Sequence, residues 1–152
     1  MALIVKTFFD AATHNATHLV CDDESGNCAL VDPVLDFDFA AGRTGTSAAD
    51  QVVEHVSGAG LTVEWMLETH VHADHITALG VLRDKTHCVT VMGQKSNVDM
   101  VSMRVDEGEK IEIENISLDV LYTPGHTSDS YSFTMSDRVF TGDALFIRGT
   151  GR

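Results

Sequence analysis

Residues 62–84, TVEWMLETHVHADHITALGVLRD, decide how the rest of the chain is read. The stretch opens on a run rich in β-branched, aromatic and apolar residues, which predicts a strand over 62–68. That strand runs straight into His70, Val71, His72, Ala73, Asp74 and His75. A strand's period of two sets His70 and His72 on one side if the chain stays extended there. Ile76, Leu79 and Leu82 then recur at helical spacing, which predicts a short helix over 76–84. Asp74 and His75 fall where that helix begins, and Asp74 also suits an ordinary N-cap.

Outward from this unit the chain is a series of short elements. Residues 3–9, 17–21 and 28–31 read as strands, with a turn at Gly26 between the last two. Asp32-Pro33 closes the third, because proline donates no ladder hydrogen bond and restricts its predecessor. Residues 37–45 read as a loop. Ser47 is a good N-cap with Asp50 as its capping-box partner, and Val52, Val53, Val56 and Ala59 follow at helical spacing. Gly58 and Gly60 end that helix, and His55 within it reads as a partly exposed helix residue. Further strands are expected at 89–92, as a hairpin over 110–113 and 118–122, and as another over 131–135 and 139–141 with Asp137 in its turn. No repeat, linker or low-complexity segment interrupts the series. The pattern predicts one domain over residues 1–152, a layered α/β (α+β) architecture built on more than one sheet.

Two more strand ends carry metal-ligand residue types. The run LDVLYT passes through Pro124-Gly125 into His126, and RVFT passes through Gly142 into Asp143. Each residue alone has a plain reading, since Pro-Gly turns, turn aspartates and hydrogen-bonded histidines are common. Their joint occurrence with residues 70–75 points instead to a metal, because four of the eight histidines fall in segments 69–75 and 124–127. His14, His18 and His87 lack such company and read as structural or surface residues. Histidine and carboxylate ligands suit zinc, iron or manganese. His70, His126 and Asp143 alone would make a two-histidine, one-carboxylate set with open positions on Fe(II). If His72, Asp74 and His75 join, two metals could share Asp143 around a hydrolytic hydroxide. Spacing leaves both open.

Composition excludes other classes. With 10 Lys and Arg against 23 Asp and Glu, the formal charge is −13, which opposes non-specific binding to nucleic acid or to an anionic membrane. No apolar run reaches the roughly 20 residues of a membrane helix. The N-terminus meets Lys6 and Asp10 too early for a secretory signal, so a cytoplasmic location is expected. Cys21, Cys28 and Cys88 form no disulfide framework. Cys21 and Cys28 are set to face each other across the Gly26 turn, and the expectation is two reduced, buried thiols.

The segments THVHADH (69–75), PGHT (124–127) and GDALFIRGTGR (142–152) resemble the metallo-β-lactamase-fold superfamily. More narrowly, VDPVLDFD (31–38), AGRTGTSAADQVVEHV (41–56), TPGHTSDSYSF (123–133) and LFIRGTGR resemble its persulfide dioxygenase branch, the ETHE1-like sulfur dioxygenases of bacterial type. The resemblance implies an αββα sandwich and one Fe(II) per chain. The activity it implies is oxidation of glutathione persulfide by O2 to sulfite and glutathione. It assigns the iron to His70, His126 and Asp143, and sets His72, Asp74 and His75 around them without a second metal. Arg152 matches an arginine near the substrate. Members of the branch continue past that arginine, so the chain is expected to hold only the N-terminal half to two-thirds of the sandwich, as a fragment or a truncated gene product.

Two other readings follow from the same residues. One is a glyoxalase II-like hydrolase of glutathione thioesters holding one or two zinc ions, with His72, Asp74 and His75 as the additional ligands. The other is a catalytically inactive metal-binding domain, or one that pairs with itself as a homodimer.

Overall fold

The computed structural model describes residues 3–151. Its first three strands, β1 (Leu3–Asp10), β2 (Asn15–Asp22) and β3 (Asn27–Val31), form an antiparallel meander. The turn between β2 and β3 uses Gly26 at φ +75°. It brings Cys21 directly opposite Cys28, with their Cα atoms 4.1 Å apart. The two are joined as a disulfide, which corrects the expectation of reduced thiols. Facing positions of an antiparallel pair supply the close Cβ approach a disulfide requires. Cys88 is a buried free thiol.

Residues 37–45 are not a plain loop. Val34 and Leu35 are buried and anchor β4 (Val34–Asp38), which returns as β5 (Arg43–Gly45) to form a hairpin. Helix α1 (Ser47–Gly58) follows and buries Ala49, Val52 and Val56. Thr46 rather than Ser47 holds the cap position, and its hydroxyl bonds Asp50 at 2.7 Å. The Ala48 N–H is taken by Asp36 of β4 at 2.8 Å, so a neighbouring strand supplies the anion that favours a helix N-terminus.

β6 (Thr62–Leu67) pairs in parallel with β3, as expected for apolar runs covered on both faces. The predicted helix from Ile76 begins later. Ile76 and Thr77 form β7 (Ile76–Thr77) against Leu35 and Val34, leaving Ile76 41% exposed instead of on the helix's apolar face. Helix α2 (Leu79–Thr86) starts beyond it, where the Thr77 hydroxyl accepts the Leu79 N–H at 3.0 Å. Asp74 therefore caps nothing. β8 (Val89–Gly93) and β9 (Met103–Val105) complete a six-stranded sheet in the order β1-β2-β3-β6-β8-β9.

A second, antiparallel sheet contains β10 (Lys110–Ile113), β11 (Ile116–Tyr122), β12 (Tyr131–Met135) and β13 (Arg138–Phe140) in sequence order. A single 3-10 turn at Gly142–Ala144 leads to the short hairpin β14 (Leu145–Phe146) and β15 (Gly149–Thr150).

Strand alternation explains the layering. Leu19, Leu30 and Met66 face α1 and α2 in one core, while Val20, Ala29, Val31 and Leu67 face Ile111, Leu118, Val120 and Phe133 of the second sheet in another. The described residues thus form helix, sheet and sheet layers. The 69–75 segment, the 123–130 loop and the 141–144 turn gather along one edge of this stack.

Candidate metal centre

Asp32 organises the edge. It sits at φ +51°, with its N–H on the Leu67 carbonyl at 2.9 Å. Its own carbonyl accepts from Asn15 Nδ2 at 2.8 Å and Thr17 Oγ1 at 3.0 Å. The carboxylate thus reaches across to the end of β6, accepting the Thr69 N–H at 2.8 Å and the Thr69 hydroxyl at 2.7 Å.

That contact fixes the state of His70. The Thr69 hydroxyl has spent its proton on Asp32, so it accepts from His70 Nδ1 at 2.9 Å. Nδ1 carries the ring proton, and the lone pair is left on Nε2. Nε2 is buried and has no hydrogen-bond partner, the arrangement a metal-binding imidazole requires. Burial also lowers the His70 pKa, which keeps the ring neutral.

The loops after β11 and β13 bring the other two residues to it. His70 Nε2 lies 3.9 Å from Asp143 Oδ2, and His126 Nε2 lies 3.4 Å from the same oxygen. One ligand atom from each of the three lies within 4.8 Å of the others. Metal–ligand bonds of about 2.0–2.2 Å produce separations of this order. Gly142, at φ +50°, allows the approach, because a Cβ there would collide with the Thr69 side chain. Gly151 likewise lies against the Asp143 backbone and the His126 Cβ, where no side chain fits.

A second group adjoins the first. The rings of His70 and His72 are 4.1 Å apart, and those of His72 and His75 are 4.2 Å apart. His72 Nε2 faces two buried carboxylates, Glu68 at 3.0 Å and Asp32 at 3.2 Å. Burial alone would lower the His72 pKa, but those two partners outweigh it and push it up to about 10. Burial raises Glu68 to about 7 against the pull of His72. His75 directs Nδ1 to Asp74 at 3.2 Å, and its Nε2 is buried without a partner. His72, Asp74 and His75 form their own set within 4.8 Å, and Asp143 falls in the first set only.

All six residues singled out in the sequence meet at this edge. His14 and His87 lie outside both sets, and Arg152 lies outside the described residues. Sequence reasoning missed three supporting carboxylates. Asp32 read only as a strand terminator, and Glu68 only as a strand's last residue. Asp129, whose Oδ2 accepts the Val71 N–H at 3.0 Å, was not singled out. A charged residue closing an apolar strand was the available signal for the first two.

The metallo-beta-lactamase superfamily profile matches residues 12–100. The chain belongs to that superfamily. A metallo-beta-lactamase fold binds metal ions, and the described residues hold three groups that could take one: His70, His126 and Asp143; His72, Asp74 and His75; and Asp32, Glu68 and His72. The chain is 34% identical to the beta-lactamase hydrolase-like protein of Agrobacterium fabrum, over 97% of this chain and 38% of that protein. It is 33% identical to the mitochondrial persulfide dioxygenase ETHE1 of Mus musculus, over 99% of this chain and 56% of that one. Among solved structures, ETHE1 from Myxococcus xanthus superposes with a TM-score of 0.87 at 37% identity, over 98% of this chain and 61% of that one. The chain thus spans between about two-fifths and three-fifths of these relatives' lengths. No helix among its described residues is long and apolar enough to cross a membrane.

Proposed function

We propose that this chain is the metal-holding part of a non-haem Fe(II) persulfide dioxygenase, with His70, His126 and Asp143 as the ligands of one iron. The observation that carries the reading is that Asp143 groups with His70 and His126 and is not shared with His72, Asp74 and His75. In the two-metal reading Asp143 would be common to both ions, whereas two histidines and one carboxylate leave open positions on a single Fe(II). Similarity to persulfide dioxygenases supports the same choice.

The overall reaction converts a persulfide, oxygen and water into a thiol, sulfite and two protons. The outer sulfur gives up four electrons to O2, and the bond between the two sulfurs breaks. Bound iron would supply the open positions where O2 and the outer sulfur meet. The chain's own residues do the rest. Thr69 and Asp32 hold His70 in the tautomer that offers Nε2, Asp129 fixes the Val71 backbone, and Gly142 lets Asp143 come within reach. Glu68 and Asp32 hold a proton on His72 Nε2 beside the centre. Arg152 would meet the polar groups of glutathione.

A zinc thioester hydrolase is the second reading. Its support is the buried, unpartnered Nε2 of His75 next to Asp74 and His72. Oxygen uptake by the iron-loaded protein with glutathione persulfide separates the two. Uptake with matching sulfite release is expected. Thioester cleavage without oxygen uptake would favour the hydrolase, and neither activity would leave a domain that only binds metal.

A further inference from the structure

Beside the metal centre, between the 69–75 segment, α2 and residues 98–101, lies a cavity of about 300 Å³. This is the lower end of the range for small-molecule pockets. Val71, Leu79, Met92, Val98, Met100 and Val101 supply its apolar wall, and His70, His72 and His75 also border it. It reaches from exposed Val71 and Met100 to buried Met92. Apart from the unpartnered Nε2 atoms of His70 and His75, the polar groups on the wall already have partners. Glu68 bonds His72 and Thr77, and Arg83 directs Nε and Nη2 to Asp84.

We propose that this cavity takes an apolar organic group, an alkyl or aryl substituent of a persulfide whose sulfur lies at the metal centre. The inference rests on the dioxygenase reading and adds a substrate class to it. Glutathione carries two carboxylates and an ammonium, and burying such charges without partners is costly. On this wall Arg83 is the one cationic side chain that could meet them, apart from the histidines. A hydrocarbon group loses nothing there and gains by leaving water. The two thioethers, flexible and polarisable, adapt to substituents of different shape. Glutathione persulfide would react with its peptide part outside the cavity, whereas an alkyl persulfide would place its chain inside. The chemical balance is the same for both: persulfide, O2 and water give thiol, sulfite and two protons.

Gly80 provides the test. It borders the cavity, and a Cβ built on it meets no heavy atom within 4 Å. A larger side chain there fills the space, and every residue except proline favours the helix more than glycine does. Binding of n-alkanethiols from ethanethiol to hexanethiol is followed by titration calorimetry on the iron-loaded and the metal-free full chain. In the wild type each added methylene should tighten binding by about three- to fourfold. Gly80→Phe should flatten the series at an unchanged or higher melting temperature, while Gly80→Ala keeps most of it. Should Gly80→Phe fail to fold, Met100→Glu at the 75% exposed mouth should flatten the series instead. A wild-type affinity independent of chain length overturns the proposal. So does a graded series that persists unchanged in the folded filling variant. Oxygen uptake is measured in parallel with butyl and glutathione persulfides. Uptake from glutathione persulfide with a flat alkanethiol series overturns the cavity assignment and leaves the dioxygenase reading standing. A graded series with no uptake from any persulfide overturns the reading, and the substrate assignment falls with it.

Discussion

Thr69 is held by Asp32 at two points, through its backbone N–H at 2.8 Å and its hydroxyl at 2.7 Å, across 37 residues of sequence. One carboxylate thereby sets the tautomer of the next residue, His70. Thr69→Val keeps the shape and removes the hydroxyl, so both Asp32 Oδ2 and His70 Nδ1 lose a partner. Metal affinity should fall by roughly 10- to 100-fold, as when such supporting bonds are removed elsewhere. Competition with a chelator measures it, and an unchanged affinity would show that Nδ1 needs no acceptor.

His126→Ala removes one of three proposed ligands and should abolish most metal binding. His87 is the control, being exposed and outside both ligand sets. It also sits at φ +59° after α2, with its N–H on the Arg83 carbonyl. His87→Gly should leave metal content unchanged and stabilise the fold by about 1 kcal/mol, since only glycine adopts that conformation freely. Metal analysis and thermal unfolding of both variants check the pair of outcomes.

The clamp on His72 makes a pH prediction for the metal-free chain. Its pKa rises from 6.5 to about 10 on folding, because Asp32 and Glu68 overcome the effect of burial. A raised folded-state value means that the stabilisation is complete below about pH 6.5 and is lost as pH climbs through about 10. Urea unfolding of wild type and His72→Gln should therefore show a stability gap that narrows over that window. A gap constant with pH would place His72 outside the clamp.

The Cys21–Cys28 disulfide closes a short loop, so its reduction should cost about 2–3 kcal/mol by loop entropy. Thiol titration of the unreduced, denatured protein should find one thiol, that of Cys88. Three thiols would mean that the pair is reduced.

The strands around 17–21, 28–31 and 62–68 were legible because buried strands leave continuous apolar runs. The β4–β5 hairpin was not, because Asp36, Phe37 and Asp38 advertise a loop, and their pairing depends on partners up to nine residues away. Ile76 fits a helical spacing, yet its backbone is claimed by Leu35, 41 positions earlier. The cysteine pairing followed from register, but its redox state did not. At the candidate site His70, His126 and Asp143 stood out because ligand residue types interrupt apolar strands at their ends. Asp32 and Asp129 act by accepting backbone N–H groups from distant segments. Nothing in their local sequence distinguishes such acceptors from ordinary loop aspartates.

The proposed centre holds one iron between His70, His126 and Asp143. Elemental analysis of the full chain after growth with both iron and zinc supplied tests it most directly. One iron per chain is expected, lost in His70→Ala and in Asp143→Ala and retained in His75→Ala. Two zinc ions per chain, with one lost in His75→Ala, would contradict it.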